Sequence, residues 1–554
     1  MPRSSRLPRA GLSSLRGEGW VALSGSGPVG KGLTADDARA AAKLSRLKEL
    51  TQVIYFPTDT TQPLALPTTF DRARQALPDP SRVWLVGGSV RDALLNRPVH
   101  DLDFAVAGDG LAIARTVASK LGAAFFPLDE SRGTGRVVAI EDDQRFFLDF
   151  ASLRGDDLNA DLAARDFTVN AIAVSLGGQL FDPMGGQADL KAKVLRTCSP
   201  ASINDDPVRA LRAVRLAAQL GFRIERGTRE AAREAASRIA SVSAERVRDE
   251  FMKMLEEQKP AASLRALDAL GLLGRVVPET SALKGVTQSA PHVFDVWQHT
   301  LAVVNHLEGV LSVLGRVHDV DAASEYALGY AAARVGRYRN EISDHLEQEL
   351  SVGRSARSLL FLAALLHDIA KPQTRAVEAG TGRVRFLGHE NYGTEVAKER
   401  LIALRLSNDE VERVAIIVAH HMRPVLLSQG EAVRPRAAYR FFKATGPAGV
   451  DVCLLTLADL LGTRGIELGR EEWAVRVDTV VALLDAYYKQ SEQVIRPPAL
   501  ITGEDVMRLG VPQGPRVVEL LEAVLEAQAA GEVTTREEAM DRVKRLVEKD
   551  SSTD

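Results

Sequence analysis

The stretch Val83–Val106, VWLVGGSVRDALLNRPVHDLDFAV, constrains this chain more than any other. An apolar run, Val83-Trp84-Leu85-Val86, has the length and bulk of a buried strand. It ends at Gly87-Gly88, where the backbone can turn and a ligand can approach with no Cβ in the way. Ser89-Val90-Arg91-Asp92 then opens a short helix whose N-terminal amides face any phosphate held at the glycines. A second strand follows, carrying Asp101 and Asp103 at i and i+2, so both carboxylates leave the same face. Two such carboxylates opposite a phosphate cradle suit divalent-metal nucleotidyl transfer. Mg2+ takes one or two carboxylates together with phosphate oxygens, and a metal pair stabilises the attacking and leaving oxygens. Alone, Gly-Gly is most often a plain turn and Asp-x-Asp a solvated strand; their order within one short stretch is far more specific.

With 554 residues the chain has room for about three or four domains. A net charge of −3 means that any nucleic-acid contact must come from a local basic surface. Two cysteines, Cys198 and Cys453, form neither a metal-binding pair motif nor a disulfide framework, which points to a reducing cytoplasm. The longest apolar run, Leu359–Leu366, is far short of the ~20 residues that span a bilayer, so no membrane role is expected.

The Val83–Val106 pattern resembles the head-domain signature of class II tRNA nucleotidyltransferases (the CCA-adding enzymes) and bacterial poly(A) polymerases. The resemblance extends to Asp161–Val174, DLAARDFTVNAIAV, which is similar to the family block DLxRRDFTxNA. It implies that Arg165 contacts the incoming nucleotide, while Ala164 replaces the first arginine and puts an auxiliary contact in doubt. Asp182–Gly186 resembles the turn that closes the head. Asp149, in FLDFA, reads equally as a third carboxylate or as a strand-edge aspartate held by backbone.

Further on, Asn204 or Asp205 can cap a helix that has Pro207 in its first turn. Arg209, Arg212 and Arg215 lie three apart and form one leaning stripe on it. DDPVRALRAVR resembles the family motif EDxxRxxRxxR, an amino-acid template for the incoming base. Asp206 and Arg209 match its base-reading pair, and Arg212 and Arg215 its phosphate or base contacts. A carboxylate accepts from the exocyclic amine common to cytosine and adenine, and a guanidinium donates to ring acceptors, so U and G are refused. Ala244–Leu255 reads as a packing helix. Residues 196–260 hold 13 Lys and Arg against 10 Asp and Glu, so affinity for RNA must be spread along the molecule.

All but one of the ten histidines fall between His292 and His421. His292 and His299 are seven apart, two helical turns on one face. His367-Asp368 ends an apolar helix, and His389, His420-His421 and Asp459 follow. The order H…HD…D resembles the HD phosphohydrolase superfamily, which implies that His299, His367, Asp368 and Asp459 hold a divalent metal. Imidazole with carboxylate suits Mn, Fe, Co, Ni or Zn better than Mg. His389 and His420 could supply a second metal or bind phosphate, and Lys371 an oxyanion. The segment between Val310 and Gly353 reads as a helical, peripheral insertion. Near the C-terminus, Gly503, Gly510 and Gly514 suit tight turns between helices, or amides that meet phosphates.

The expected fold class is α+β: a small mixed-sheet nucleotidyltransferase head followed by an extended all-helical neck, HD domain and tail. Residues 1–69 read as disordered tail and linker, with a short helix over Ala38–Leu50. Four arginines ahead of the first acid give residues 1–37 a faint likeness to a transit peptide. The head is expected over 70–197, the neck with its nucleotide template over 198–288, the HD domain over 289–465, and a helical tRNA-binding region over 466–554. The resemblance implies template-independent addition of C and A to tRNA 3′ ends from CTP and ATP, with Mg2+ at Asp101 and Asp103 and phosphate contacts from Gly88 and Arg91. An A-adding, CC-adding or poly(A)-adding enzyme shares these motifs. A metal phosphohydrolase whose head only binds nucleotide is the alternative from another class. Nothing in the sequence bears on oligomeric state.

Overall fold

In the computed structural model the Val83–Val106 stretch forms two neighbouring strands at the centre of a mixed sheet. The structure describes residues 19–24, 27–32, 34–44, 52–56, 64, 66–99, 101–141, 144–428 and 432–551. The chain divides into two units, residues 1–238 and 239–554.

The first unit begins with three short strands, β1 (Gly19–Ser24), β2 (Gly27–Gly32) and β3 (Gln52–Phe56), ordered β2-β1-β3, with helix α1 (Ala35–Leu44) between β2 and β3. The expectation of a disordered tail and linker over 1–69 is therefore wrong for these described residues, and the expected helix lies earlier, at α1. The physical reason is close packing. A Cβ on Gly30 would lie 2.4 Å from the Ala38 carbonyl, and one on Gly32 would lie 2.2 Å from Asp37, so glycines let α1 settle on β2. Trp20 is fully buried in the same core as Phe70, on α2 (Thr68–Ala76), and the Ala35 amide donates to Asp71 on that helix. Residues 1–18 of the expected tail lie outside the described residues.

The main sheet has seven strands. They are β4 (Val83–Val86), β5 (Asp101–Val106), β6 (Ala124–Asp129), β7 (Thr134–Glu141), β8 (Gln144–Ser152), β9 (Ala173–Ser175) and β10 (Leu180–Phe181), in the order β10-β9-β4-β5-β8-β7-β6. Only β5 and β8 pair in parallel. Helix α3 (Gly88–Leu94) follows β4, and α4 (Gly110–Leu121), capped by Asp109, joins β5 to β6. Alternation divides the sheet. Leu102, Phe104, Leu148 and Phe150 point into the large core with α4 and Phe70. On the other face, Val86, Ala105 and Ala173 pack beneath Leu158 and Leu162 of α5 (Leu158–Ala163). Asp182 holds the start of α6 (Gly186–Ala192) by accepting from the Gly186 and Gln187 amides at 2.6 and 2.9 Å.

A two-strand parallel pair, β11 (Val194–Leu195) with β12 (Arg223–Ile224), brackets α7 (Ser202–Asp205) and α8 (Val208–Leu220), and α9 (Arg226–Ala235) ends the unit. Neither Asn204 nor Asp205 caps α8. Both belong to α7, and the chain breaks at Asp206 because Pro207 has no N–H to continue the ladder.

The second unit is almost entirely helical, so the expected neck is divided: its template helix lies in the first unit and its packing helix, α10 (Ala244–Glu256), in the second. After α11 (Pro260–Ala269) and α12 (Leu273–Val276) come α13 (Val296–Leu314), α14 (Tyr326–Val335), α15 (Arg339–Glu347) and α16 (Ala356–Leu366). Then follow α17 (His389–Ala403), α18 (Asn408–His420), α19 (Arg423–Leu427), α20 (Pro435–Thr445), α21 (Ala448–Arg464) and α22 (Arg470–Tyr488). From Ser358 to Leu366 every residue of α16 is buried, as a helix apolar on all sides must be. The 310–353 segment is helical but not peripheral. Tyr338 is buried, and His345 enters a cluster with Arg413 and the fully buried Asp451, at 2.7 and 3.2 Å. Gly503, Gly510 and Gly514 punctuate α23 (Gly503–Met507) and α24 (Pro515–Ala529), which share a separate small core with α25 (Arg536–Ser551). No single helix among the described residues is long and apolar enough to cross a membrane.

Candidate active site

The head's polar residues gather where β4 and β5 meet the Gly87 turn. Gly87 has φ +76°, and a Cβ there would lie 3.1 Å from the Arg165 guanidinium and 3.4 Å from the Asp103 carboxylate. A side chain would therefore fill the space between them, which is why the turn needs glycine. Ser89 was not singled out from sequence. Its hydroxyl accepts from the Asp103 amide and donates to the Asp101 carbonyl, both at 2.9 Å, so it fixes the strand that carries both carboxylates.

Asp103 lies opposite Asp149 across the parallel pair, and Asp101 opposite Phe147. Burial and the Asp149 carboxylate push the Asp103 carboxyl up to about 6; Asp101 adds to the push, against Arg165 and Arg91. Three carboxylates crowded on one face make a concentration of negative charge that a divalent cation relieves, so these residues fit the metal their pattern implies. Asp149 stands in the carboxylate row, and what holds it is not backbone, as the second reading had it, but the Arg136 guanidinium, through two 2.8 Å bonds.

Arg91, Arg165, Arg209 and Arg212 of the predicted nucleotide contacts gather around the segment 161–170. Arg165 is held by Asp161 at 2.9 and 3.0 Å. Arg91, on the turn after Gly88, is paired with Asp92 at 2.8 Å and donates to Asn170 at 2.6 Å. Asn170 in turn donates to Asp166 at 3.0 Å, and Arg212 of α8 reaches the other oxygen of Asp166 at 3.1 Å. Asp166 is buried; burial opposes its charge, but Arg212 and these hydrogen bonds hold its carboxyl below the ordinary range. Asp166 and Asn170 escaped the sequence reading because a buried polar relay leaves no periodic signal. Arg209 donates to Ser202 at 2.8 Å and to the Ala164 carbonyl at 3.3 Å, with Asp206 3.9 Å away. Arg215 lies further along α8 and donates to Gln219 at 3.4 Å, away from Asp166. Arg154, also missed, sits near Arg165 and Arg209; burial and those two like charges lower its pKa.

The second unit assembles a different centre. His299 comes from α13, His367 and Asp368 from the end of α16, His389 from the start of α17, and Asp459 from α21. His299 Nε2 lies 3.1 Å from Asp459 and 3.3 Å from Asp368, and His367 Nε2 lies 3.2 Å from Asp368. On the other oxygen of Asp368, His389 Nε2 stands at 3.3 Å and His421 Nε2 at 3.9 Å. The ligand atoms form two groups, His299-His367-Asp368 and Asp368-His389-His421, joined through Asp368. The expectation of His420 beside His389 is thereby corrected to His421. Neighbouring residues at a helix end point about 100° apart, and only one can face the centre. The second half of the earlier pairing also shifts. His292 precedes the α13 cap Asp295 rather than sharing its face with His299, although their rings meet at 5.4 Å.

The Nδ1 atoms of His367, His389 and His421 donate to the carbonyls of Ala364, Phe386 and Val418 at 2.7–2.8 Å. That fixes each ring with the Nε2 lone pair facing inward, the form in which imidazole binds metal. Burial works against a charged His299, yet Asp368 and Asp459 together raise its pKa to about 9. Burial, above all, pushes His421 down to about 3. Lys371 is 2.7 Å from Asp368 and donates to Gln288 at 2.8 Å. The donor set, three inward imidazole lone pairs with the Asp368 and Asp459 carboxylates among them, fits a divalent metal site.

Three family models match the chain: the poly A polymerase head domain over residues 83–196, the probable RNA and SrmB-binding site of polymerase A over 221–284, and the HD domain over 296–463. The chain is 38% identical over 487 residues to an A-adding tRNA nucleotidyltransferase of Deinococcus radiodurans, covering 86% of this chain and 98% of that protein. It is 37% identical over 470 residues to a CC-adding tRNA nucleotidyltransferase of Thermus thermophilus, covering 83% and 92%. A solved complex of a CCA-adding enzyme with ATP shares the fold, with a TM-score of 0.54 at 21% identity over 84% of this chain and 91% of that one.

Proposed function

The chain belongs to the class II tRNA nucleotidyltransferase family, and from that premise we propose that its head adds C and A to tRNA 3′ ends from CTP and ATP. The observation that carries this reading is the carboxylate row beside the Gly87 turn, with Arg165 across the space that a Cβ would fill. Asp101 and Asp103 would hold Mg2+, which supplies charge neutralisation for the triphosphate and the attacking 3′-hydroxyl. Gly88, Arg91 and Arg165 orient the phosphates. Asp206 and Arg209 read the base, and Arg212, held on Asp166, keeps α8 in place above the phosphates. Catalysis then comes from positioning and electrostatics, with no covalent intermediate.

The relatives from Deinococcus and Thermus add different nucleotides at nearly equal identity to this chain. The shared motifs therefore govern the chemistry rather than the number of nucleotides added. The deciding experiment offers tRNA ending at the discriminator base, at −C and at −CC, with labelled CTP and ATP supplied separately. C addition to the first two and A addition to the third is the expected result. A alone or CC alone would narrow the activity, and no incorporation would refute it.

The six-residue centre of the second unit favours a further activity: hydrolysis of phosphate esters. Mn, Fe, Co, Ni or Zn suits its imidazole-carboxylate donors, and a metal brings the pKa of bound water toward ~7. His299, His367, Asp368, His389, His421 and Asp459 would hold it. The substrates that match the head are RNA ends bearing 2′,3′-cyclic or terminal phosphates, since clearing them frees the hydroxyl to be extended. Metal analysis with hydrolysis of a 2′,3′-cyclic nucleotide tests this, and protein lacking both metal and hydrolysis refutes it.

A further inference from the structure

One face of the main sheet is covered over only half its width. On the β4 and β9 side, α5 and its neighbours bury Val86, Ala105 and Ala173. Beyond the carboxylates, among the described residues of the first unit, side chains on this face are exposed. Strand register sets Val86, Asp103, Asp149, Arg136 and Phe126 in a single row across β4, β5, β8, β7 and β6. Directly paired residues point to the same face, so the row runs from the buried patch through the carboxylates to Phe126 on the edge strand. Phe126 is 51% exposed, Leu128, at a shift of register further along β6, is 48% exposed, and Ile140 on β7 is 65% exposed. Between them and the carboxylates, the Arg136 guanidinium lies over the Phe147 ring, 5.0 Å from its centroid.

Nucleotidyl transfer is an in-line displacement, so the attacking hydroxyl and the leaving pyrophosphate lie on opposite sides of the reacting phosphorus. Gly87, Arg91 and Arg165 are all on the β4 side of Asp103. If they hold the triphosphate, the attacking RNA end must lie on the β8-β7-β6 side. That side presents one exposed ring, Phe126, a half-buried ring, Phe147, and the Arg136 guanidinium that Asp149 holds over it; proteins hold unpaired nucleotides by stacking bases on aromatic side chains beside guanidinium groups.

We propose that Phe126 and Leu128, with Phe147 under Arg136, form the platform on which the unpaired 3′-terminal nucleotides of the tRNA stack during addition. This rests on the reading of the head as a tRNA nucleotidyltransferase. Strands lie ~4.8 Å apart, so Phe126 stands roughly 14 Å from Asp103. That distance reaches a base upstream of the 3′-terminal one, whereas Phe147, paired with Asp101, lies beside the terminal nucleotide.

The test uses the full-length enzyme and tRNA ending at −CC. Phe126→Ala should raise the KM for tRNA about tenfold while the KM for ATP stays constant, and Phe126→Trp should restore wild-type behaviour because any flat ring can stack. Leu128→Ala should act in the same direction and less. Phe126 is a surface residue, and thermal unfolding of the variant should match wild type. An unchanged KM for tRNA in Phe126→Ala overturns the proposal. So does a rise confined to ATP, a Trp variant as weak as Ala, or a change of oligomeric state without a change in tRNA affinity, which would mark the face as a protein interface. A wild-type enzyme that extends no tRNA would refute the underlying function; one that extends it normally with any of these results refutes the platform alone.

Discussion

In the head, three carboxylates stand on two adjacent strands, with Asp101 at the surface and Asp103 under electrostatic pressure from its neighbours. In the second unit, six ligand-type side chains arrive from five helices spread across 161 residues of sequence, and all but Asp459 are buried. The first centre is held together by sheet register, with Asp101 exposed at its edge. The second is assembled before any substrate arrives, since main-chain carbonyls hold three of its imidazoles. The difference teaches how each centre depends on its surroundings. The open site is sensitive to the arginines that surround it, while the closed one is sensitive to helix packing.

The sharpest break in the comparison is Asp103→Ala. It removes one of the two carboxylates proposed to hold metal, so nucleotide incorporation should fall on the order of 10³-fold or more while tRNA binding persists. Single-turnover incorporation and tRNA affinity measured on one preparation check this. Near-normal incorporation would remove Asp103 from the chemistry.

Next in size is base choice. Arg209→Ala or Asp206→Ala leaves a partner group in the pocket without its hydrogen bond, so misincorporation of UTP and GTP relative to CTP and ATP should rise on the order of 10²-fold. Competition assays with all four nucleotides measure it. Unaltered discrimination would mean that α8 does not read the base.

The smallest effect belongs to the relay between the two halves of the nucleotide site. Asp166→Asn keeps the shape but removes the charge that Arg212 pairs with, and should cost about 1–3 kcal/mol of stability. The KM for both nucleotides should rise about tenfold as Arg91 and Arg212 loosen together, because misplaced contacts lose positioning. Thermal unfolding and steady-state kinetics report the two quantities. A variant with lowered stability but unchanged KM would make Asp166 a structural residue only.

Much of the open centre was legible because strand alternation and motif order are local properties: Asp101, Asp103 and the Gly87 turn lie within one stretch of sequence. Ser89, Asp166 and Asn170 were not legible, since each acts through a hydrogen bond to a residue whose position the sequence does not reveal. Of the closed centre, His299, His367, Asp368 and Asp459 were read from the order H…HD…D, and the structure brings them together. Choosing His421 over His420 requires the phase at which α18 ends, which periodicity alone does not supply at a helix terminus. The N-terminal strands were missed for another reason. GPVGKG has the composition of a loop, and its glycines serve helix contact rather than flexibility. The helices of 310–353 were foreseen but not their burial, because the His345–Arg413–Asp451 cluster joins residues far apart in sequence.

The central claim is that one chain carries two chemically separate centres, and it is tested most directly by measuring both activities in reciprocal variants. Asp101→Ala/Asp103→Ala and His367→Ala/Asp368→Ala proteins, each shown to be folded, are assayed for nucleotide addition to −CC tRNA, for bound transition metal and for hydrolysis of a 2′,3′-cyclic nucleotide. The first should lose addition and keep metal and hydrolysis. The second should lose metal and hydrolysis and keep addition within about threefold of wild type, the near-additivity that independent centres show. Loss of both activities in either folded variant would contradict the account.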